Sequence, residues 1–360
     1  MLDLSLGLSP EQFVVTVGMP EDGGHVSARQ FTDAGIEFVP LAMERGFAWR
    51  DIFKIRRLMQ NGRFHLLHLH GARAAFYGRL AVWGMRKRPS VLFSVHGFTT
   101  PFYAPLKRTA LLWTERLLQR VTDCTICVAH AEADAFAQHG LTQRHKIRVV
   151  YYGIDVDAFA QIDRSENGRL RQSLNLPPDS LVILMLCRLH YPRDFHMLLE
   201  GFRAVLPQHP QTHLLIAGEG PQRAELEAKI AQDGLIDNVH LPGLRRDIPQ
   251  LLGLADINVL TSLGGDGFPI SSMEAQAAGV PVVITDDAGS RESVLHGQTG
   301  FVVPMGDAAR LAEAFSILLS DAKLRQKMGD AGRKRADPAL RRETMVGGIT
   351  AVYLDYLPSK

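Results

Sequence analysis

Short apolar runs alternate with longer amphipathic stretches along nearly the whole chain. Phe13–Val17, Ile36–Leu41, Phe64–His70, Val91–Val95, Cys124–Val128 and Ile147–Tyr151 have the length and composition of strands. Between them, Val26–Ala34, Ile52–Met59, Ala72–Trp83, Pro105–Arg120 and Ala131–His139 read as helices. A polar stretch, Gln161–Ser180, follows, and then the alternation restarts. Its strands are Leu181–Cys187, His213–Ala217, Val239–Leu241, Ile257–Leu260 and Pro281–Thr285. Its helices are Phe195–Val205, Gln222–Asp233, Ile248–Leu254, Ser272–Ala278, Ala308–Leu319 and Asp321–Arg335. Strand–helix alternation predicts βαβ units and parallel sheets. Two such runs predict an α/β chain of two doubly wound domains, with ligands at the carboxyl ends of the strands. The interdomain cleft is then the expected active site.

The first residues carry two patterns at once. Leu2, Leu4, Leu6 and Leu8 alternate as a strand would, while Leu2 and Leu6 also suit one helix face. Composition narrows the function. A chain of 360 residues with 46% apolar and 22% charged residues has enough apolar material for two cores. A net charge of +2 argues against nucleic acid as the main partner. Three cysteines make no disulfide framework, so a reducing compartment, the cytoplasm, is expected. No apolar run reaches the roughly 20 residues that span a bilayer. Peripheral contact with the inner membrane face stays open.

The segment richest in chemistry is Asp266-Gly-Phe-Pro-Ile-Ser-Ser-Met-Glu274. Two carboxylates stand eight positions apart, separated by a Gly-Phe-Pro turn that leads into a helix near Ser271. A helix start offers free N–H groups and positive partial charge, which suit a diphosphate. Glu274 is placed to accept from ribose hydroxyls and Asp266 from sugar hydroxyls. The plain alternative is a capped helix with ordinary surface acids. Other motifs read more plainly. Cys124-Thr-Ile-Cys127 lies in an apolar strand, where positions three apart point to opposite faces, so structural thiols are expected. His65, His68 and His70 have no acidic cluster beside them, and no metal site is expected. Asp155-Val-Asp157 fits a turn after Gly153 rather than a metal-binding pair. Phe102–Arg120 mixes aromatic and cationic residues; an amphipathic helix with long cations turned outward is favoured over a lipid-docking one.

The residues around Asp266–Glu274 resemble the retaining family-4 glycosyltransferases of the GT-B fold, which have two Rossmann-like domains. The matching run continues through Ala275–Ala278 and Gly279-Val-Pro-Val-Val283. Arg188 and Arg193 stand where that family has Arg and usually Lys, and Gly218-Glu-Gly-Pro221 matches its Gly-Glu-Gly-Pro turn. Leu241-Pro-Gly243, Arg246-Asp247, Val150–Phe159, His68, His70 and His96-Gly97 fit further segments in order. The resemblance spans about residues 10–340.

The resemblance implies a metal-independent enzyme with no cofactor. It would move a hexosyl unit from a nucleoside-diphosphate sugar to a hydroxyl of a glycan or lipid-linked acceptor. It implies that Arg188 and Arg193 clamp the diphosphate and that Glu274 holds the ribose. Asp266 would contact the donor sugar, and the backbone at Phe268, Pro269 and Ile270 would serve sugar or phosphate. Gly218 and Gly220 belong to the donor side, and His96 would lie near the sugar. Residues 1–157, joined by 341–360, are the expected acceptor domain; 158–340 are the expected donor domain. The family usually has Glu where Asp266 stands. It also opens with a strand and a Gly-rich loop before its first helix. Met1–Ser9 matches the end of that helix and Gly23-Gly24 is a poor substitute for the loop. A gap in the first sheet, flanked by Phe13–Val17 and Phe64–His70, is therefore expected. Two other functions share the architecture: a nucleotide-sugar 2-epimerase and a non-catalytic nucleotide-sugar binding protein.

Overall fold

A computed structural model describes residues 1–21, 27–43, 48–61, 64–98, 100, 103–163, 165 and 167–358. Gly23, Gly24 and Phe102, singled out above, lie outside the described residues. The chain forms two compact units. One holds Met1–Gly153 with Arg342–Lys360, the other Ile154–Arg341. The boundary falls four residues earlier than Asp157. Asp157 and Arg341 both fall in the second unit, where Ile154 N–H donates to Leu340 O at 2.9 Å and Asp157 pairs with Arg341 at 2.9 Å.

Unit 1 contains, in order, α1 (Leu2–Gly7), β1 (Thr16–Met19), α2 (Ala28–Thr32), β2 (Glu37–Pro40), α3 (Trp49–Gln60), β3 (Leu66–His70) and α4 (Gly71–Val82). Then come β4 (Ser90–Ser94), α5 (Pro105–Leu118), β5 (Cys124–Cys127), α6 (His130–Gln138) and β6 (Ile147–Val149). All strand pairs are parallel. They form two separate sheets among the described residues: β1–β2, and β3-β4-β5-β6. The break lies between β1 and β3, where the gap was expected. Leu2–Gly7 is helical, so the alternating leucines are not a strand. Leu4 and Leu8 are buried against the final helix, which carries Val346 and Ile349 into the same apolar cluster. A Cβ on Gly7 would sit 2.7 Å from Val346 Cγ2, which shows how closely the two helices approach.

Unit 2 begins with α7 (Val156–Ala160), α8 (Asn167–Ser173), β7 (Leu181–Leu186), α9 (Phe195–Val205), β8 (Thr212–Ala217), α10 (Arg223–Gln232) and β9 (Val239–His240). It continues with α11 (Ile248–Leu254), β10 (Ile257–Leu260), α12 (Ile270–Ala278), β11 (Val282–Thr285), α13 (Ala288–Arg291), β12 (Gly300–Val303), α14 (Ala308–Ser320) and α15 (Ala322–Ala339). The last helix, α16 (Arg342–Tyr356), belongs to unit 1. Its six strands form one parallel sheet in the order β12-β11-β10-β7-β8-β9. Counted within the unit this is the doubly wound order 3-2-1-4-5-6, whose direction switches between β7 and β10. β7 is apolar on both faces and β8 is buried along its whole length, as strands covered by helices on both sides are.

Two differences from the sequence expectation have clear causes, and the Asp155-Val-Asp157 segment takes a defined local form. The polar stretch after Gln161 holds α8, which has no buried residue and so no apolar face to announce it. β12 is a four-residue strand opening on Gly300, where a Cβ would meet Val282 O at 1.9 Å. Asp155 and Asp157 do not act together: Asp155 accepts from Ala158 N–H and caps α7, while Asp157 pairs with Arg341.

Candidate functional site

The switch point of unit 2 gathers most of the predicted residues. The loop after β7 carries Arg188 and Arg193, and the loop after β10 carries Asp266. The second loop is held against the first by backbone and hydroxyl contacts. Leu263 N–H donates to Pro192 O at 2.8 Å, Asp194 N–H to Thr261 O at 3.2 Å, and Thr261 Oγ1 to Asp194 O at 2.7 Å. These contacts bring together two side chains 73 positions apart. Arg193 donates to both oxygens of Asp266, at 2.5 and 2.9 Å. Both side chains are 15% exposed, so the pair is largely desolvated and geometrically fixed. Arg193 Nε is buried with no hydrogen-bond partner among the described residues. Asp266 N–H donates to Asp287 Oδ2 at 2.6 Å, a contact the sequence did not reveal. Gly289 is equally hidden in the sequence: a Cβ there would lie 2.1 Å from Gly267 O, so the signature turn needs that glycine.

Arg188 is exposed and makes no ion pair or side-chain hydrogen bond among the described residues. The two expected clamp residues therefore differ. Arg188 offers an uncommitted guanidinium, whereas Arg193 is already neutralised by Asp266. Gly218 and Gly220 support the Arg188 loop from behind. Their added Cβ atoms would lie 1.7 Å from Cys187 O and 2.2 Å from Leu189 O. Leu189 N–H donates to Glu219 O at 2.9 Å, and Gly218 N–H to Gly243 O at 2.9 Å. The Gly-Glu-Gly-Pro turn thus shapes this loop through close backbone packing. In the Leu241–Asp247 segment, Arg245 rather than Arg246 pairs with Asp247, at 2.5 Å.

Pro269 is the N-cap of α12, and Phe268 before it is buried at 2% exposure. Ile270 is the first helical residue, so its N–H and those of the next two residues lack intrahelical acceptors. One turn further, Glu274 makes no hydrogen bond among the described residues. Burial raises its carboxyl from 4.5 to about 7. An acceptor held partly out of water without donors is ready to receive hydroxyl groups. Burial also pushes the neighbouring Cys187 thiol up to about 12, so that thiol is no nucleophile.

In unit 1 the carboxyl ends of β3, β4 and β6 carry a polar array. His70 Nδ1 and His96 Nε2 are 2.9 Å apart, and His96 Nδ1 lies 2.6 Å from Tyr152 Oη. His68 is engaged by Tyr353 Oη at 2.6 Å and Ser94 Oγ at 2.7 Å. Burial, first among its causes, lowers His68 to about 3 and takes His70 well below its ordinary value. Tyr152 lies shortly after β6, beyond Val150 and Tyr151, yet nothing in its sequence spacing links it to His96. Cys124 and Cys127 lie in different apolar clusters, one on each face of the sheet, and burial pushes both thiols up.

The outward face of α5 departs from the packed helix that was expected. Leu118 alone among its residues is buried, while Leu106 is 86% and Trp113 65% exposed. Lys107 lies 3.8 Å from the Tyr103 ring centroid, and Arg116 lies over Trp113. No helix among the described residues is long and apolar enough to cross a membrane.

Comparison with known proteins agrees along the whole chain. Residues 166–335 match the family Glycosyl transferases group 1, and residues 1–158 match Glycosyltransferase Family 4. EpsD of Bacillus subtilis is 27% identical over 79% of this chain and 74% of its own length. The UDP-Gal:alpha-D-GlcNAc-diphosphoundecaprenol alpha-1,3-galactosyltransferase of Escherichia coli is 24% identical over 86% of this chain and 80% of its own. Among solved structures, Anabaena HepE in complex with UDP and glucose superposes with a TM-score of 0.85 at 22% identity, covering 98% of this chain and 94% of that one. The fold is that of the GT-B glycosyltransferases, built from two Rossmann-like domains.

Proposed function

Since the chain is a GT4-like glycosyltransferase, we propose that it moves a hexosyl unit, with retention, from a nucleoside-diphosphate sugar to a hydroxyl of a glycan or lipid-linked acceptor. The observation that carries the donor class is the convergence at the switch point of unit 2. The exposed Arg188 guanidinium follows β7, and α12 with Glu274, a carboxyl without hydrogen-bond partners among the described residues, follows β10, the two strands of the switch point; this supports the reading. Guanidinium and helix start suit a diphosphate, and the carboxyl suits the two ribose hydroxyls. HepE, similar in fold, is described with UDP and glucose, which makes UDP-glucose the first donor to test.

Asp266 is the site carboxylate placed to meet the donor sugar. Both its oxygens accept from Arg193, which makes it a poor nucleophile and fixes the direction of its remaining lone pairs. Retention then proceeds on one face of the sugar. The anomeric carbon–phosphate oxygen bond breaks, the bond to the acceptor oxygen forms, and the acceptor proton passes to the departing phosphate. Arg188 and the α12 start stabilise the charge that grows on that phosphate. Arg193 acts as a positioning residue that holds Asp266 through two hydrogen bonds. A lipid-linked acceptor would suit the exposed apolar and cationic face of α5, which is fitted to lie on an anionic lipid surface. The E. coli relative is named for such an acceptor.

The test is a panel of UDP-, GDP- and ADP-sugars with undecaprenyl-diphosphate-linked and free glycan acceptors. Nucleoside diphosphate release and the anomeric configuration of the product are read together. Acceptor-dependent release with a retained anomer supports the proposal. An epimerised sugar nucleotide, an inverted anomer, or binding without turnover would each refute it.

A further inference from the structure

Three strand ends of unit 1 place His70, His96 and Tyr152 in one hydrogen-bonded row. The rings of His70 and His96 stack at 5.1 Å and 13°, and those of His96 and Tyr152 at 5.5 Å and 12°. His96 adopts φ +61°, an uncommon region for a residue with a side chain. The bend is held by buried Glu132, which accepts from Gly97 N–H at 2.6 Å and from Val128 N–H at 2.8 Å. A strained backbone braced by a buried carboxylate points to a ring whose placement matters.

The row has an engaged end and an open end. Both ring nitrogens of His96 are taken, one by Tyr152 and one by His70. His70 uses Nδ1 for His96, and its Nε2 has no hydrogen-bond partner among the described residues. His70 is half-buried rather than fully enclosed in unit 1. It stands at the carboxyl end of β3, on the N-cap of α4, where ligands of doubly wound sheets sit. We infer that His70, through Nε2, is the side chain of unit 1 that meets an acceptor hydroxyl, and that His96 and Tyr152 are positioning residues that set its hydrogen-bonding direction. The inference rests on the transferase assignment of the preceding section. It moves the substrate contact from His96, where the resemblance put it, one residue along the row.

The direction follows from proton counting in a row of neutral groups. When Tyr152 Oη–H donates to His96 Nδ1, His96 Nε2–H donates to His70 Nδ1, and His70 Nε2 carries a hydrogen. When Tyr152 accepts instead, both imidazoles reverse and His70 Nε2 becomes an acceptor. Either arrangement suits a sugar hydroxyl, which both donates and accepts. His68 lies beneath His70 at 4.0 Å between ring centroids, held by Ser94 and Tyr353, and fixes the plane of the second ring.

The two amide replacements of His70 separate substrate contact from internal support. Asn keeps a polar atom near the Nδ1 position and Gln near the Nε2 position. With the donor and acceptor that turn over in the panel above, His70→Asn is expected to raise the acceptor KM by about threefold to tenfold, the size of one neutral hydrogen bond. His70→Gln should stay within about twofold. UDP affinity, measured by calorimetry, should be unchanged in both variants. Tyr152→Phe supplies a readout independent of turnover: nitrogen-15 spectra of histidine-labelled protein should show the His96 ring changing its tautomer balance. A His70→Asn variant with wild-type acceptor KM, or a His96 tautomer indifferent to Tyr152→Phe, would overturn the inference while leaving the transferase assignment intact. Failure of the wild-type chain to bind UDP, GDP or ADP, or to turn over any donor of the panel, would sink that assignment instead.

Discussion

Glu274→Gln should stabilise the free protein and weaken the donor complex, and pH should expose both effects. Burial raises the Glu274 carboxyl from 4.5 to about 7. The folded state therefore holds this proton more tightly than the unfolded chain does. As pH rises from about 4.5 through 7, ionisation of Glu274 costs the folded state free energy. One pH unit is worth about 1.4 kcal/mol, so the full shift amounts to about 3 kcal/mol above pH 7. Gln has the same shape and no titration. Urea unfolding of both chains from pH 4.5 to 8.5 should show the wild type losing stability relative to Glu274→Gln by about 3 kcal/mol across that window. The cost of burying an amide is the same at every pH and drops out of the slope. UDP binding should run the other way. A carboxylate accepting from ribose hydroxyls contributes roughly 1.5–3 kcal/mol per charge-assisted bond, so the variant should bind UDP about tenfold to a hundredfold more weakly at pH 8. Below pH 7 the gap should narrow, because protonation disables the wild-type acceptor. Comparing the two chains at each pH removes the titration of UDP itself. Parallel stability curves together with parallel affinity curves would refute the reasoning, leaving Glu274 an ordinary helix residue.

Other outcomes follow from the same geometry. Arg188→Ala should weaken UDP binding about tenfold to a hundredfold with little effect on folding, since the side chain makes no ion pair. Calorimetry and a thermal scan check both parts. Asp266→Asn should depress turnover more than UDP affinity, and it should also destabilise the protein by leaving the Arg193 guanidinium buried and unpaired; kinetics beside urea unfolding reads both. In unit 1, Arg79 is 1% exposed and holds Glu115 through two bonds of 2.6 and 2.7 Å. Arg79→Met should therefore cost about 3–5 kcal/mol in urea unfolding. A Leu106→Ser/Trp113→Ser variant should lose affinity for vesicles containing phosphatidylglycerol in sedimentation assays while keeping UDP affinity.

Much of this architecture could be read from the sequence, and the parts that could not share a cause. Strands buried on both faces, such as Leu181–Leu186, announce themselves as unbroken apolar runs. The break between β1 and β3 was expected from the family resemblance and not from any local pattern of residues. The alternating leucines were ambiguous on period alone: Leu4 and Leu8 are one helical turn apart, and it is packing on α16 that decides between helix and strand. β12 was missed because four residues opening on a glycine carry too little pattern. At the site, local motifs marked Asp266, Phe268 and Glu274. The Arg193–Asp266 pair, the Asp287 contact and the Tyr152–His96–His70 row needed the fold, because each joins residues 21 to 82 positions apart through strand ends. The exposed apolar face of α5 was underestimated for a related reason. Helical spacing shows that a stripe exists, but not whether the sheet covers it.

The central claim places a nucleoside-diphosphate sugar at the switch point of unit 2. Hydrogen–deuterium exchange of the full chain, with and without saturating UDP-glucose, tests it most directly. Backbone amides of Arg188–Asp194 and Gly267–Glu274 should gain protection, and the edge strand β9 should not change. Bound ligand with protection confined to other segments, or no change in either of these two, would contradict the assignment.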